Sequence, residues 1–311
     1  MQVDLTSHLI VPLAQCGGDE WTQVVNALDL KDLGKLLRGM KLITTDSGQT
    51  DSLSPPHERV LSRAFGLATS TDGLIPWAAY EANALPGLAC AFVTPCHWAM
   101  GHEHATFTDP ATLELTAAES RTLLAAMQPY FATEGIALHY LQPTRWLAEG
   151  EVFGNLPTAS LDRVLNRNVD RWLPHSKAIK LLQNEMQMLL YTHPINDERA
   201  AKGQRLVNSF WVSGSGALTR SAIGNLQVKT ATNLMQAAFA NDWASYTQAW
   251  TQLDTTDIAQ LLTQQKNGDV VRLSLCGDSH AMTFESAQHG FLARVKNTLN
   301  PQNPVDWLKQ L

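Results

Sequence analysis

The chain has 311 residues, 44% of them hydrophobic, which suffices for one large domain or two modest ones with packed cores. Its formal net charge is −6, with 23 Lys and Arg against 29 Asp and Glu. That balance argues against a nucleic-acid partner, because phosphate-backbone affinity needs a concentrated basic face. No stretch approaches the roughly eighteen apolar residues of a membrane span, and residues 1–13 lack a signal-peptide pattern. Cys16, Cys90, Cys96 and Cys276 have no close paired spacing, so reduced thiols and a cytoplasmic location are expected.

Residues 8–14, HLIVPLA, predict a buried first strand, followed by Gln15, Cys16 and Gly17. Cys16 reads either as a thiol ligand or nucleophile, or as a buried inert cysteine. Residues 28–40 predict a helix with Leu30, Leu33, Leu36 and Leu37 on one face. The next stretch reads as a polar loop offering Asp46, Ser47 and Asp51 as oxygen donors, closed by Pro55 and Pro56 ahead of a helix near His57. Asp72 and Gly73 mark a turn over Trp77, Tyr80 and Leu85. Residues 89–95, ACAFVTP, predict a buried strand that empties into a loop holding His97, His102, His104 and Asp109. Three imidazoles and a carboxylate in so short a span suit a divalent ion such as Zn or Mn; a metal-free polar pocket or hydrogen-bonded histidines account for them as well.

Residues 110–129 predict a helix with Thr116 and Glu119 as a capping box. Residues 136–141 and 145–147 alternate like a hairpin, which places a small inserted subdomain at 131–175 between core segments 1–130 and 176–311. Arg145 on that hairpin reads as a fork for a carboxylate or phosphate, or as an ordinary strand arginine. Arg163, Arg167 and Arg171 share one side of a helix if it persists that far, as a basic lip or as partners of Asp162 and Asp170. Ser176 caps a helix to Tyr191, buried through Leu182, Met186, Leu189 and Leu190. Its polar side, with Gln183, Asn184, Glu185 and Gln187, suits a buried network or a homodimer contact. Pro194 ends it, a polar loop follows, and a strand at 207–212 runs into the Ser213–Gly216 turn, where small donors suit an anion or a plain tight turn. Further helices are expected over 230–240, 243–250 and 257–267, a half-buried strand over 269–278, and a helix pair over 290–311 anchored by Trp307.

The segment HPINDERAAKGQRLVNSFWVSGSG carries a resemblance. It is similar to the part of the archaeal-type cofactor-independent phosphoglycerate mutases in which a helix leads to a His-Pro-x-Asn…Arg…Gly…Asn pattern and a strand with a glycine-rich end. The matching residues are His193, Pro194, Asn196, Arg199, Gly203, Asn208, Trp211, Gly214 and Gly216. Through most of its length, including PCHWAMGHEH, LPTASLDRVLNR and NEMQMLLYTHPIN, the chain resembles a group of bacterial proteins labelled phosphoglycerate mutase or pathogenicity-regulatory protein by similarity. The resemblance implies an α/β fold with an alkaline-phosphatase-like sheet flanked by helices and a small antiparallel or mixed addition. It also implies a small acidic or phosphorylated ligand, for which Arg145, His193, Asn196, Arg199, Asn208, Ser213 and Ser215 are the candidate contacts. Ser52, Ser54 and His57 superficially resemble the family's phosphoryl-accepting serine and the segment after it. The family's first strand delivers a metal-binding aspartate, and Gln15 and Cys16 stand here instead. The expectation is therefore a catalytically degenerate mutase-like protein that binds an acidic ligand or acts in regulation; the alternative is a divalent-metal-dependent phosphoryl transfer enzyme.

Overall fold

A computed structural model describes residues 7–219, 227–287 and 303–311. In chain order the elements are β1 (Ser7–Val11), α1 (Asp19–Ala27), α2 (Lys31–Arg38), β2 (Met40–Ser47), α3 (Pro56–Ala64), α4 (Trp77–Glu81), β3 (Ala89–Cys96), β4 (Trp98–Met100) and β5 (Ala105–Phe107). They continue with α5 (Ala117–Thr133), β6 (Ala137–Gln142), β7 (Arg145–Glu149), α6 (Leu161–Val164), α7 (Lys177–Tyr191), α8 (Pro194–Ala201) and β8 (Ser209–Ala217). The last are β9 (Gln227–Thr230), α9 (Asn233–Phe239), α10 (Trp243–Leu253), α11 (Ala259–Asn267), β10 (Val271–Cys276), β11 (His280–Ser286) and α12 (Pro304–Leu308). No helix among the described residues is long and apolar enough to cross a membrane.

The chain divides into two compact units. The first comprises Met1–Asp51, Pro55–Gly66 and Ile223–Leu311. Its mixed five-stranded sheet runs β2-β11-β10-β1-β9, with β1 parallel to both neighbours and β11 antiparallel to β10 and β2. Side chains alternate across it, as a pleated strand requires. Leu9, Val11, Leu273 and Leu275 enter the main core with Trp21, Leu33, Leu36, Leu234, Tyr246 and Trp250 from the helices, while Ile10 and Cys276 meet Val60 of α3. A π-turn at Asp254–Ile258 joins α10 to α11 and places the buried Asp254 carboxylate on the backbone amides of Asp32 (3.1 Å) and Leu33 (2.7 Å). It satisfies amides that α2's own N-cap, Leu30, leaves without a side-chain acceptor.

The second unit comprises Ser52–Ser54 and Leu67–Ala222. Its four-stranded antiparallel sheet runs β6-β7-β3-β8. α5 and α7 pack through Leu123, Met127, Phe131, Ile179, Leu182 and Met186 with Val93, Trp146 and Val212 of the sheet. A separate cluster joins Trp98 and Phe107 of the β4–β5 hairpin to Trp211, whose ring centroid lies 5.6 Å from that of Phe107. Residues 52–54 belong here because Asp72 accepts from the amides of Leu53 (2.6 Å) and Ser54 (2.9 Å), and Ser54 Oγ accepts from Gly73 N (3.0 Å).

Several expectations change. Residues 40–47 are an edge strand rather than a loop: the strand pairs only with β11 and is exposed from Lys41 to Thr45, Leu42 and Ile43 included, so it lacks the usual alternation. β11 is a further strand that the sequence reading did not contain. The helix carrying three arginines stops after Val164, since Asn166 adopts φ 58°, and only a short 3₁₀ turn at Asp170–Trp172 follows. Pro194 does not open a loop; it is the first residue of α8, where a missing amide donor costs nothing. The hairpin expected at 136–147 is present as β6–β7, but its sheet recruits β3 and β8, so the second unit reaches well beyond 131–175. Trp307 on α12 stacks edge-on against Phe284 at 5.1 Å. The expected helix over 290–300, and Arg220, lie outside the described residues.

Within the first unit His8 is buried, with Nε2 2.8 Å from Ser274 Oγ and that hydroxyl 2.7 Å from Thr283 Oγ1. Burial, aided by Arg272, lowers its pKa to about 4. The unfolded chain protonates this ring near 6.5 while the folded one resists. Stability is therefore complete above about pH 6.5 and declines toward pH 4, by roughly 3 kcal/mol for this group. Urea midpoints taken between pH 7.5 and 4.5 are expected to fall less steeply for His8→Gln than for the unaltered chain; equal slopes would exclude a buried neutral imidazole.

Candidate functional site

The carboxyl end of β1 is where an α/β sheet of this kind would present a ligand-binding group. The chain turns there through Leu13, at φ 50°. Gln15 Oε1 accepts from Asp278 N at 3.4 Å across the end of β10. A Cβ on Gly277 would stand 2.8 Å from that oxygen and 2.9 Å from Leu311 O, so glycine is needed for the approach. Cys16 Sγ donates to Leu13 O at 3.4 Å, and burial, reinforced by Asp278, pushes the thiol up to about 12. The Tyr246 hydroxyl donates to Leu13 O (2.8 Å) and receives Trp21 Nε1 (3.2 Å). A neutral thiol and an amide occupied in this way are poor partners for a hard divalent ion. Of the two readings of Cys16, the inert one fits better, with the thiol half-buried rather than fully buried.

Asp46, at the end of β2, is also engaged. Its carboxylate takes Arg59 Nε (2.7 Å) and Arg63 Nη1 (2.6 Å), and these cations outweigh the opposing effect of burial to hold its pKa below the ordinary value.

In the second unit the segment that carries the mutase resemblance forms a hydrogen-bonded knot. His193 caps α8, its Nδ1 accepting from Ile195 N (3.2 Å), and burial lowers its pKa. Asn196 Nδ2 donates to Leu190 O and Val207 O, both at 2.7 Å, and its Oδ1 accepts from Val207 N at 3.0 Å. Arg199 has no exposed side-chain surface: Nε donates to Arg205 O (2.8 Å), Nη2 to Leu113 O, and Nη1 pairs with Glu119 (2.8 Å). The acid is the capping-box glutamate of α5. Asn208 bonds both Trp98 N (2.7 Å) and Trp98 O (2.9 Å), imitating a strand partner.

Ser213–Gly216 is not a turn. It continues β8 along β3, with a register shift between Cys90 and Phe92. Gly214, at φ 61°, lets Phe92 and Trp77 close in to 3.1 Å of the absent Cβ. Ser213 is buried in the strand, and Ser215 Oγ is bonded to Leu156 O and lies 2.9 Å from Thr158 Oγ1. Donors committed to a ladder do not form an anion nest.

The histidine stretch is a hairpin, β4–β5, beside an antiparallel sheet, so the argument from parallel-strand ends does not apply to it. His97 Nδ1 donates to Leu206 O at 2.9 Å, His102 and His104 are exposed at the tip, and Asp109 Oδ1 accepts from Ala111 N at 2.8 Å. No three of these four bring their ligand atoms within 4.8 Å of one another. As placed, this donor set does not fit a resident metal ion. Of the two arginines among the candidate ligand contacts, Arg145 stays partly open, with 36% of its side chain accessible; it pairs with Glu81 (2.7 Å) and lies 3.8 Å over the Phe92 ring.

One feature of the first unit escaped the sequence reading. A cavity of about 230 Å³ lies beside β9, lined by Leu9, Gln227, Lys229, Asp257, Gln260 and Gln264 among others. Lys229 Nζ and Asp257 Oδ1 are 2.5 Å apart across it. The helical spacing of Asp257, Gln260 and Gln264 was the available signal, but their facing strand residues lie some thirty positions away, as roughly expected of long-range sheet contacts.

No family model matches the chain, and neither does any curated protein. Among solved structures it is similar to the cofactor-independent phosphoglycerate mutase of Thermoplasma acidophilum DSM 1728, at 12% identity, covering 98% of this chain and 100% of that one, with a TM-score of 0.36. It is also similar to the PH0037 protein of Pyrococcus horikoshii, at 9% identity, covering 99% and 97%, with a TM-score of 0.43. Superpositions this loose carry no inference about site or activity. The fold itself defines a mixed α/β protein whose described residues form a mixed five-stranded sheet, an antiparallel four-stranded sheet and the two-stranded β4–β5 hairpin.

Lysine in place of Arg199 keeps the charge but cannot reach two carbonyls and a carboxylate at once. Arg199→Lys is expected to lower unfolding free energy by about 3 kcal/mol, measured by urea titration, equally with or without added phosphorylated acids. An unchanged midpoint would contradict the knot.

Proposed function

We propose that this chain is a degenerate relative of the phosphoglycerate mutases, of alkaline-phosphatase-like ancestry, that binds a small acidic or phosphorylated molecule or acts in regulation. It does not carry out two-metal phosphoryl transfer. The observation that carries the reading is the end of β1, where Gln15 is bonded to Asp278 N and Cys16 is held as a neutral thiol. The chemistry needs a carboxylate there to hold a cation against the transferred group. The sequence resemblance around His193–Gly216 supports common ancestry, and ancestry does not transmit activity. The four free thiols support a reducing, cytoplasmic setting.

For the ligand, the cavity beside β9 offers Lys229, for which an acid would compete with Asp257, and the amide groups of Gln227, Gln260 and Gln264 over an apolar floor of Leu9 and Leu261. Its volume equals that of seven or eight waters at about 30 Å³ each, the scale of a small organic acid. Arg145 is the alternative contact in the second unit, open enough for an acid to compete with Glu81.

Freshly purified protein is expected to hold fewer than two divalent ions per chain and to show no chelator-sensitive mutase turnover. Two tightly bound ions with turnover near one per second or above would overturn the proposal. In calorimetric titrations with a panel of phosphorylated acids, Lys229→Ala is expected to weaken binding by about tenfold, the worth of one charge-assisted contact, with the melting temperature unchanged. Loss on Arg145→Ala instead would move the ligand to the second unit.

A further inference from the structure

α7 buries one face through Ile179, Leu182, Met186 and Leu190. Its opposite face carries Leu181, Met188 and Tyr191, which remain 48%, 76% and 86% exposed. Together with Lys177 and Asn184 they fall at 177, 181, 184, 188 and 191, the alternating four-three spacing of a coiled-coil seam. Scattered apolar side chains are ordinary on a surface, but a stripe at this spacing along one helix is what a second helix packs against.

We propose that α7 is the contact between two copies of this chain, packed antiparallel about a twofold axis at Asn184. The charges favour a second copy and that direction. Lys177 and Lys180 stand at the amino end of α7, while the exposed Asp197 and Glu198 follow just past its carboxyl end on α8. A parallel pair would set lysine against lysine. An antiparallel pair sets each lysine end against the partner's acidic end, brings the Lys177 ammonium to the partner's Tyr191 ring, and opposes the two helix dipoles. Asn184 then meets its own copy. An amide carries both donor and acceptor, so it satisfies itself across the axis, and a polar residue at the centre of a seam fixes register. Leu181 and Met188 flank it on either side and lose their exposure. One helix pair is a small interface, so the dimer is weak, with Kd on the order of 10 μM.

Sedimentation velocity on the full chain, from about 5 to 200 μM around that Kd, is expected to show monomer passing to dimer. Met188→Glu and Tyr191→Glu are each expected to raise Kd at least tenfold with an unchanged circular dichroism spectrum and melting curve. Under mild oxidation Asn184→Cys is expected to form a disulfide dimer. Lys177→Cys is not, because the antiparallel arrangement holds its two copies about 20 Å apart along the axis at 1.5 Å per residue. A chain that stays monomeric at the highest concentration, a Met188→Glu variant that associates as well as the unaltered chain, or cross-linking at position 177 as ready as at 184 would overturn the proposal.

Discussion

The second unit depends on one buried guanidinium. Arg199 has no exposed side-chain surface, and a charge so placed is tolerated only when it is paired and its donors are used. Three parts of the chain answer that demand: Glu119 in the first turn of α5, the Leu113 carbonyl ahead of that turn, and the Arg205 carbonyl before β8. Glu119 at the same time closes the capping box with Thr116. The start of α5, the whole of α8 and the entry to β8 are thereby fixed as one body, and Asn196 adds Leu190 and Val207 to it. A residue pattern that resembles a mutase segment is, in this molecule, a means of joining helices to a sheet.

In the first unit, apart from the Asp254 carboxylate that the Asp32 and Leu33 amides hold, several buried polar groups stay uncharged. His8 stays neutral against Ser274, Cys16 stays a thiol against Leu13 O, and burial raises the Cys276 thiol and the Tyr246 hydroxyl alike. Charge gathers instead where it is matched, at Asp46 with Arg59 and Arg63. Such an interior suits packing around a neutral sheet end better than it suits cation chemistry. The cavity beside β9 likewise holds a matched pair, Lys229 with Asp257, with the lysine largely open to solvent.

Features governed by neighbours in sequence were legible. The capping box of α5, the Ser176 cap and buried face of α7, the β6–β7 hairpin and the apolar β3 all follow from local spacing. Those governed by distant partners were not. β2 lies at a sheet edge and so lacks the apolar alternation that marks a half-buried strand. Glycines 214 and 216 look like a turn until β3 is laid beside them and Phe92 and Pro76 fill the space a side chain would take. Pro194 both stops one helix and starts the next, and only the position of His193 as a cap tells which role dominates. The candidate site suffered most. Arg199 was read as a contact for an acidic ligand, whereas its guanidinium is taken up by Glu119, eighty residues away, and by two backbone carbonyls.

The central claim is that the end of β1 is closed to cations and to nucleophilic chemistry. Reactivity of Cys16 toward an aromatic disulfide reagent at neutral pH, mapped by peptide mass spectrometry with and without zinc, tests it most directly. A half-buried thiol held near 12 and bonded to Leu13 O should label far more slowly than a free thiol, with no effect of zinc. Labelling at the rate of a free thiol, suppressed by stoichiometric zinc, would show a thiolate available to a metal and would contradict the account.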